Sequence, residues 1–125
     1  MLQEFEFQAT IPAADFDRAR RFYEEKLDLT PEVVLEAGTI YRCGKGSALF
    51  LYPTEYAGTA QHTIGGWYVD DVRATVEALR KRGVVFEEYD LPGLKTEGGI
   101  AHLGSEMAAW FKDSEGNILS VATLT

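Results

Sequence analysis

The stretch Thr63-Ile64-Gly65-Gly66-Trp67-Tyr68-Val69-Asp70-Asp71-Val72 decides the fold, because an extended run gives way there to a helical one. Thr63 to Val69 reads as a strand. The Asp70-Asp71 pair after it supplies a helix N-cap, a side-chain oxygen for the unbonded N–H groups of a first turn. Val72, Val76 and Leu79 then fall on one helical stripe. Lys81 and Arg82 place positive charge at the negative end of that helix, and Gly83 provides a left-handed stop.

The same succession stands at the start of the chain. From Glu4 to Ile11 apolar Phe5, Phe7, Ala9 and Ile11 alternate with Glu4, Glu6, Gln8 and Thr10, the period of a strand with one apolar face. Pro12 is expected to end that strand, having no N–H to donate. Asp15 sits where an N-cap belongs, and Phe16, Ala19, Tyr23 and Leu27 make a helical stripe after it. Glu32 to Ala37, Thr39 to Cys43 and Ser47 to Tyr52 read as three short strands, with Gly38 and Gly44-Lys45-Gly46 as hairpin turns. Gly44-Lys45-Gly46-Ser47 has the look of a phosphate loop, but no helix follows it. After the second helix, Val84 to Tyr89, Ala108 to Lys112 and Ile118 to Leu124 are predicted strands. Asp113-Ser114-Glu115-Gly116-Asn117 is a tight turn between the last two. An offset of 56 lays Asp15 on Asp71, Phe16 on Val72 and Tyr23 on Leu79, keeping the apolar stripes in phase. The expected fold is α+β: one domain over residues 1–125 made of two βαβββ modules, about 1–56 and about 62–125, joined by a polar link at 53–61.

Composition sets limits on function. The 125 residues are 46% hydrophobic and 26% charged, the balance of a globular protein with a core of its own. The net charge of −8 repels phosphate backbones and excludes nucleic acid as the expected partner. No apolar run reaches the roughly 20 residues that span a bilayer, so no membrane partner is expected. The start of the chain does not read as a signal peptide, and Cys43 is the single cysteine, which rules out an intrachain disulfide; the expected compartment is the cytoplasm.

Three motifs in this order resemble the vicinal oxygen chelate superfamily, which includes glyoxalase I, bleomycin-resistance proteins and extradiol dioxygenases. They are Ile11-Pro12-Ala13-Ala14-Asp15 running into Arg18-Ala19 and Phe22-Tyr23, then Trp67-Tyr68-Val69-Asp70-Asp71-Val72, then Trp110-Phe111-Lys112-Asp113-Ser114-Glu115-Gly116-Asn117-Ile118-Leu119. Asp28 departs from the pattern, standing where members often carry the Gly that closes the first helix; Asp tolerates that left-handed position better than most residues. The resemblance implies sheets curled around a cleft, and pairing of modules within a homodimer. Catalytic members hold a divalent ion there, through ligands on the first and fourth strands of each module. The corresponding positions here are Gln8, Phe50, Ile64 and Ser120. A divalent centre wants several imidazole or carboxylate donors. These four offer a neutral amide, a hydroxyl and two apolar side chains, so the expected cleft holds no metal and no cofactor.

Other residues are candidates for lining a site. His62 shares the strand parity of Ile64, and Glu6 is its counterpart in the first module; as a pair they would act as general base and orienting acid, or else lie apart on the surface. Tyr52 and Tyr68 share the parity of the ligand positions and are expected to face a ligand, whereas Trp67 has the opposite parity and is expected beneath a helix. Tyr41 and Tyr56 complete an aromatic set that suits a flat or cationic compound. His102 stands beside glycines with no assigned role. Asp90 to Ile100 is long for a connection; it is either a lid hinged at Gly98-Gly99 or an insertion packed outside. Cys43 lacks a histidine partner and reads as inert.

The function expected from these residues and the resemblance is metal-free binding of a small molecule, the sequestering of a cationic or aromatic compound by a homodimer. One alternative is a lyase or isomerase using Glu6, His62 or a tyrosine. The other is a regulatory or interaction module whose cleft is vestigial.

Overall fold

The computed structural model describes residues 1–124. The chain divides into two compact units, residues 1–59 with 114–117, and residues 60–113 with 118 onward.

The first unit contains β1 (Ala9–Ala13), α1 (Phe16–Arg21), β2 (Pro31–Val34), β3 (Thr39–Arg42) and β4 (Ala48–Pro53), in the sheet order β1-β4-β3-β2. The edge strand β1 runs parallel to β4, with Ala9 opposite Leu49 and Ala13 opposite Pro53. Asp15 caps α1 as its position requires: its Oδ1 accepts from the Arg18 N–H at 3.1 Å. A π-helical turn, Phe22–Lys26, follows. That wider turn brings both Phe22 and Tyr23 into the core beside Ala19, and Asp28 ends the element in the left-handed region at φ 60°. Against them lie Ile11, Ala13, Thr39, Tyr41, Leu49 and Leu51, the inward residues of the sheet.

Two readings of this unit need correction. The first strand begins at Ala9, not at Glu4: Leu2–Glu4 is a 3₁₀ turn, and Phe5 and Phe7 are 66% and 87% exposed. Alternation marks a face but not where pairing starts, since only residues opposite β4 have a ladder to join. Pro12 lies inside β1 rather than ending it. The Ala13 carbonyl accepts from Thr54 N–H on the β4 side at 2.9 Å, so the Pro12 backbone points to the open edge, where no N–H is missed.

The second unit contains β5 (Thr63–Tyr68), α2 (Val72–Lys81), β6 (Asp90–Leu91), β7 (Leu94–Glu97), β8 (Ile100–Leu103), β9 (Glu106–Lys112) and β10 (Ile118–Ala122), in the order β5-β10-β9-β8-β7-β6. Again the first strand runs parallel to the last. Asp71 Oδ1 accepts from Ala74 N–H at 3.0 Å, and Gly83 closes α2 at φ 95°. Val72 and Val76 are buried with Phe86, Ile100, Ala109, Phe111, Leu119 and Val121. Val84 to Tyr89 is not a strand: it makes one isolated bridge, Phe86 to Phe111, and packs Val84 and Phe86 into the core while Val85 stays exposed.

Asp90 to Ile100 is ordered as strands rather than an irregular loop. It forms β6, β7 and the start of β8, turning at Gly93 (φ 78°) and at Gly98-Gly99 (φ 60° and 81°). Consecutive positive φ values define the turn that matches the twist of paired strands, so the glycines close a hairpin rather than hinge a loop. The turn Ser114–Asn117 packs with the first unit. Asn117 Oδ1 accepts from Gly58 N–H at 3.0 Å, and its Nδ2 donates to the Pro12 carbonyl at 2.8 Å. Among the described residues, no helix is long and apolar enough to cross a membrane.

Candidate functional site

Each sheet has one face against its helix and one turned away from it, and the candidate residues sort onto these faces by strand register. In the first unit, Thr10 lies opposite Phe50 and Pro12 opposite Tyr52, all on the face away from α1. The Phe50 and Tyr52 rings stack at 6.1 Å with 6° between their planes. Gly38 makes room for them, since a Cβ there would stand 2.9 Å from the Phe50 ring and 2.3 Å from the Leu51 carbonyl oxygen. Ile40, opposite Phe50, extends the apolar strip.

Arg42 stands on the same face and organises the acidic groups around it. Its Nε and Nη2 donate to Glu32 at 2.6 and 3.2 Å, and its Nη1 donates to Glu6 at 3.2 Å. The hydrogen bond from Arg42 holds the Glu32 carboxyl below its usual range. The register shift between Pro31 and Val33 leaves Glu32 without a ladder partner, free to make this pair. Glu6 is thus committed to Arg42, and Gln8 precedes β1 as an exposed residue.

In the second unit β5 and β10 border a hollow of about 340 Å³, lined by Thr63, Ile64, Gly65, Gly66, Trp67, Tyr68, Ser120 and Ala122. Ile64 occupies a register irregularity, with Thr63 opposite Ile118 and Gly65 opposite Leu119. Ser120 stands opposite Gly66, where a Cβ would fall 2.2 Å from its Oγ. The hollow exists because Gly66 has no side chain. Tyr68 keeps 75% of its surface exposed beside it. Trp110, opposite Ser120 on β9, shares this face and meets the Tyr89 ring edge-on at 5.6 Å. Burial, with a smaller contribution from Glu87, raises the Tyr89 pKa.

The structure therefore brings Ile64, Tyr68 and Ser120 together around one hollow, and Phe50 and Tyr52 together as a stack. His62 is exposed, with Nδ1 2.9 Å from the Thr63 carbonyl oxygen. His102 is exposed with its Nε2 3.3 Å from Arg73 Nη2, and it stands opposite Met107. Trp67 stacks on Phe111 at 6.5 Å, on the core side of its sheet. Cys43 is a half-buried free thiol. Gly44–Gly46 is a turn between β3 and β4, closed by Cys43 N–H donating to the Ser47 carbonyl at 2.8 Å. Tyr41 is buried, and its hydroxyl donates to Glu24 at 2.7 Å, away from the strip. Tyr56 is exposed in the link.

Gly66 and Ala122 escaped the sequence reading as lining residues, and Trp110 as their neighbour on the same sheet face. A Gly-Gly pair inside a strand is the signal for the first, since glycine there marks a close approach. Parity from Ser120 is the signal for Ala122, but nothing in the sequence sets Trp110 opposite Ser120 before the β9–β10 register is known. Among the described residues, no group of three or more His, Cys, Asp or Glu is placed to hold a metal ion.

No curated protein matches the chain closely enough to assign it a relative. Several solved structures share the fold. The crystal structure of UcmS2 superposes with a TM-score of 0.74 at 22% identity, covering 94% of this chain and 96% of that one. A glyoxalase / bleomycin resistance protein from Catenulispora Acidiphila DSM 44928 gives 0.71 at 20% identity, covering 97% and 99%. TnmS3, an antibiotic binding protein from Streptomyces sp. CB03234, gives 0.66 at 19% identity, covering 97% and 96%. The model of the Glyoxalase/Bleomycin resistance protein/Dioxygenase superfamily matches residues 7–121, and the chain belongs to that superfamily.

Proposed function

We propose that this protein binds a small organic molecule on the strand faces turned away from its helices, without a metal ion and without converting it. The observation that carries the reading is the hollow bordered by β5 and β10. Two of the four positions from which catalytic relatives grip an ion, Ile64 and Ser120, line it, and they offer an apolar side chain and a neutral hydroxyl. Phe50 and Gln8, the other two, offer a ring and an amide. Such a donor set does not fit a divalent centre, which needs imidazole or carboxylate groups converging at ~2.0–2.6 Å. It does fit a small-molecule pocket whose lining combines apolar surface with neutral polar groups. TnmS3, described as antibiotic binding, shares the fold and lends this reading support by analogy.

An acid–base enzyme has less in its favour. Glu6 is engaged by Arg42, and His62 sets its Nδ1 against the adjacent Thr63 carbonyl. The structure thus does not pair Glu6 with His62 as orienting acid and base. We further propose that the protein works as a homodimer in a reducing cytoplasm. The exposed Phe5 and Phe7 side chains give self-association apolar surface to cover. Light scattering at micromolar concentration is expected to give twice the chain mass.

The deciding experiment is a thermal-shift screen of aromatic and cationic compounds, run with chelator and with added Zn²⁺ or Mn²⁺, followed by mass spectrometry of the recovered compound. A ligand at 100 times its Kd adds about 2.7 kcal/mol, or about 10 °C for a chain of this length. The expected result is such a shift, unaffected by chelator, with the compound recovered unchanged. Stoichiometric metal binding, or a new product, would overturn the proposal.

A further inference from the structure

We infer that the hollow beside β5 and β10 receives an uncharged, planar aromatic group, stacked against Tyr68 and hydrogen-bonded to the Ser120 hydroxyl. The inference rests on the small-molecule reading above and narrows it to one ligand class.

Charge decides between a cationic and a neutral guest. None of the residues lining the hollow is Asp, Glu, Lys, Arg or His; the polar side-chain groups on its face are the Thr63 and Ser120 hydroxyls and the Tyr68 phenol. A cation seated there gives up hydration with no counter-charge to replace it, the costliest way to bury a group. The Tyr68 ring offers a cation–π contact, but at 75% exposure that contact is a weak one. The net charge of −8 pulls the other way, drawing cations toward the protein as a whole. That attraction is screened beyond about 8 Å at physiological salt, whereas the lining acts at contact. Contact chemistry prevails.

Shape favours a ring. Gly66 places a residue without a side chain directly opposite Ser120, so backbone and one small hydroxyl form a flat floor. A Cβ at Gly66 would meet Ser120 Oγ at 2.2 Å and its carbonyl oxygen at 2.6 Å, which ties the floor to glycine at that position. The volume of about 340 Å³ lies near the lower end for ligand pockets, room for a fused ring system.

The test uses one ring system in two charge states, acridone and N-methylacridinium, titrated against the full chain at about 0.15 M salt, where the Debye length is short. Acridone is expected to bind at least about tenfold more tightly. Ala122→Leu, which fills the hollow from its rim, should weaken acridone about tenfold or more, and Ser120→Ala by a smaller factor, with melting curves confirming that each variant folds. Ile64→Phe serves as a second filling variant should Ala122→Leu fail to fold. Equal or tighter binding of the cation overturns the neutral-guest inference while leaving a small-molecule function standing. Acridone binding that survives both filling variants overturns the location. Binding of neither probe overturns the inference too, and the broader reading then falls only if the full screen also gives no ligand.

Discussion

Exchanging Glu115 for glutamine tests whether a buried charge holds the 114–117 turn against α1. The Glu115 side chain is fully buried, and its carboxylate accepts hydrogen bonds from Arg18 Nε at 2.8 Å, Arg18 Nη2 at 3.1 Å, the Asp15 N–H at 2.7 Å and the Ser114 hydroxyl at 2.7 Å. Burial alone would raise its pKa. The donors from Arg18, Asp15 and Ser114 outweigh burial and hold it at about 2, against an ordinary 4.5. That difference corresponds to about 3 kcal/mol of preference for the charged form in the folded state. The Arg18 side chain is 50% exposed, so water screens part of its attraction, and about 2–3 kcal/mol is the figure to expect. Glu115→Gln keeps shape and one acceptor but loses the charge. For 125 residues the loss amounts to a fall of about 8–12 °C in Tm near pH 7. Because folding depresses this pKa, the contribution is complete above about pH 5 and fades as pH falls toward 2. Thermal melts followed by circular dichroism from pH 7 to pH 2.5 should therefore show the two proteins converging. A gap that is absent at pH 7, or undiminished at pH 2.5, would refute the assignment to charge.

Three further substitutions probe the rest of the framework. Asp71→Ala removes the acceptor for the Ala74 N–H at 3.0 Å, and chemical denaturation should show a loss of about 1 kcal/mol. Gly38→Ala forces a Cβ to within 2.3 Å of the Leu51 carbonyl oxygen and 2.9 Å of the Phe50 ring; a loss of about 1–3 kcal/mol is expected, with a changed near-UV spectrum as the Phe50–Tyr52 stack shifts. Tyr41→Phe removes the 2.7 Å bond to Glu24 and should cost about 1 kcal/mol. Burial and the neighbouring Glu24 push the Tyr41 pKa well up, so in an alkaline spectrophotometric titration the wild-type and variant curves should coincide until the protein unfolds.

The fold is largely legible because its signals are local. The Asp15 and Asp71 caps, the Gly83 stop and the left-handed Asp28 each depend on a few neighbouring residues, and each is found where its chemistry demands it. The errors arise where the outcome depends on a distant strand. Glu4 to Gln8 alternates correctly but has nothing to pair with, and Pro12 is tolerated because β1 is an edge. Val84 to Tyr89 has strand-like residues that the core uses singly, through Val84 and Phe86. Gly93 and Gly98-Gly99, read as marks of a loop, are turns of a meander, a difference carried by the signs of their φ angles.

The candidate site divides along the same line, with one further twist. Strand parity suffices to set Ile64, Tyr68 and Ser120 on a common surface, and Phe50 with Tyr52 on another, since side chains alternate strictly from face to face. A hollow, however, is made by the side chains that are missing. Gly66 contributes by lacking a Cβ, Ala122 by ending at one, and a search for chemistry-bearing residue types passes over both. Pairing is equally invisible in one dimension: Arg42 draws Glu6 and Glu32 to itself, which removes Glu6 from the role of orienting acid that its parity suggested. The residues that most limit what this protein can bind are thus the least reactive ones. A larger side chain at Ala122 should change its ligand range more than the loss of either histidine.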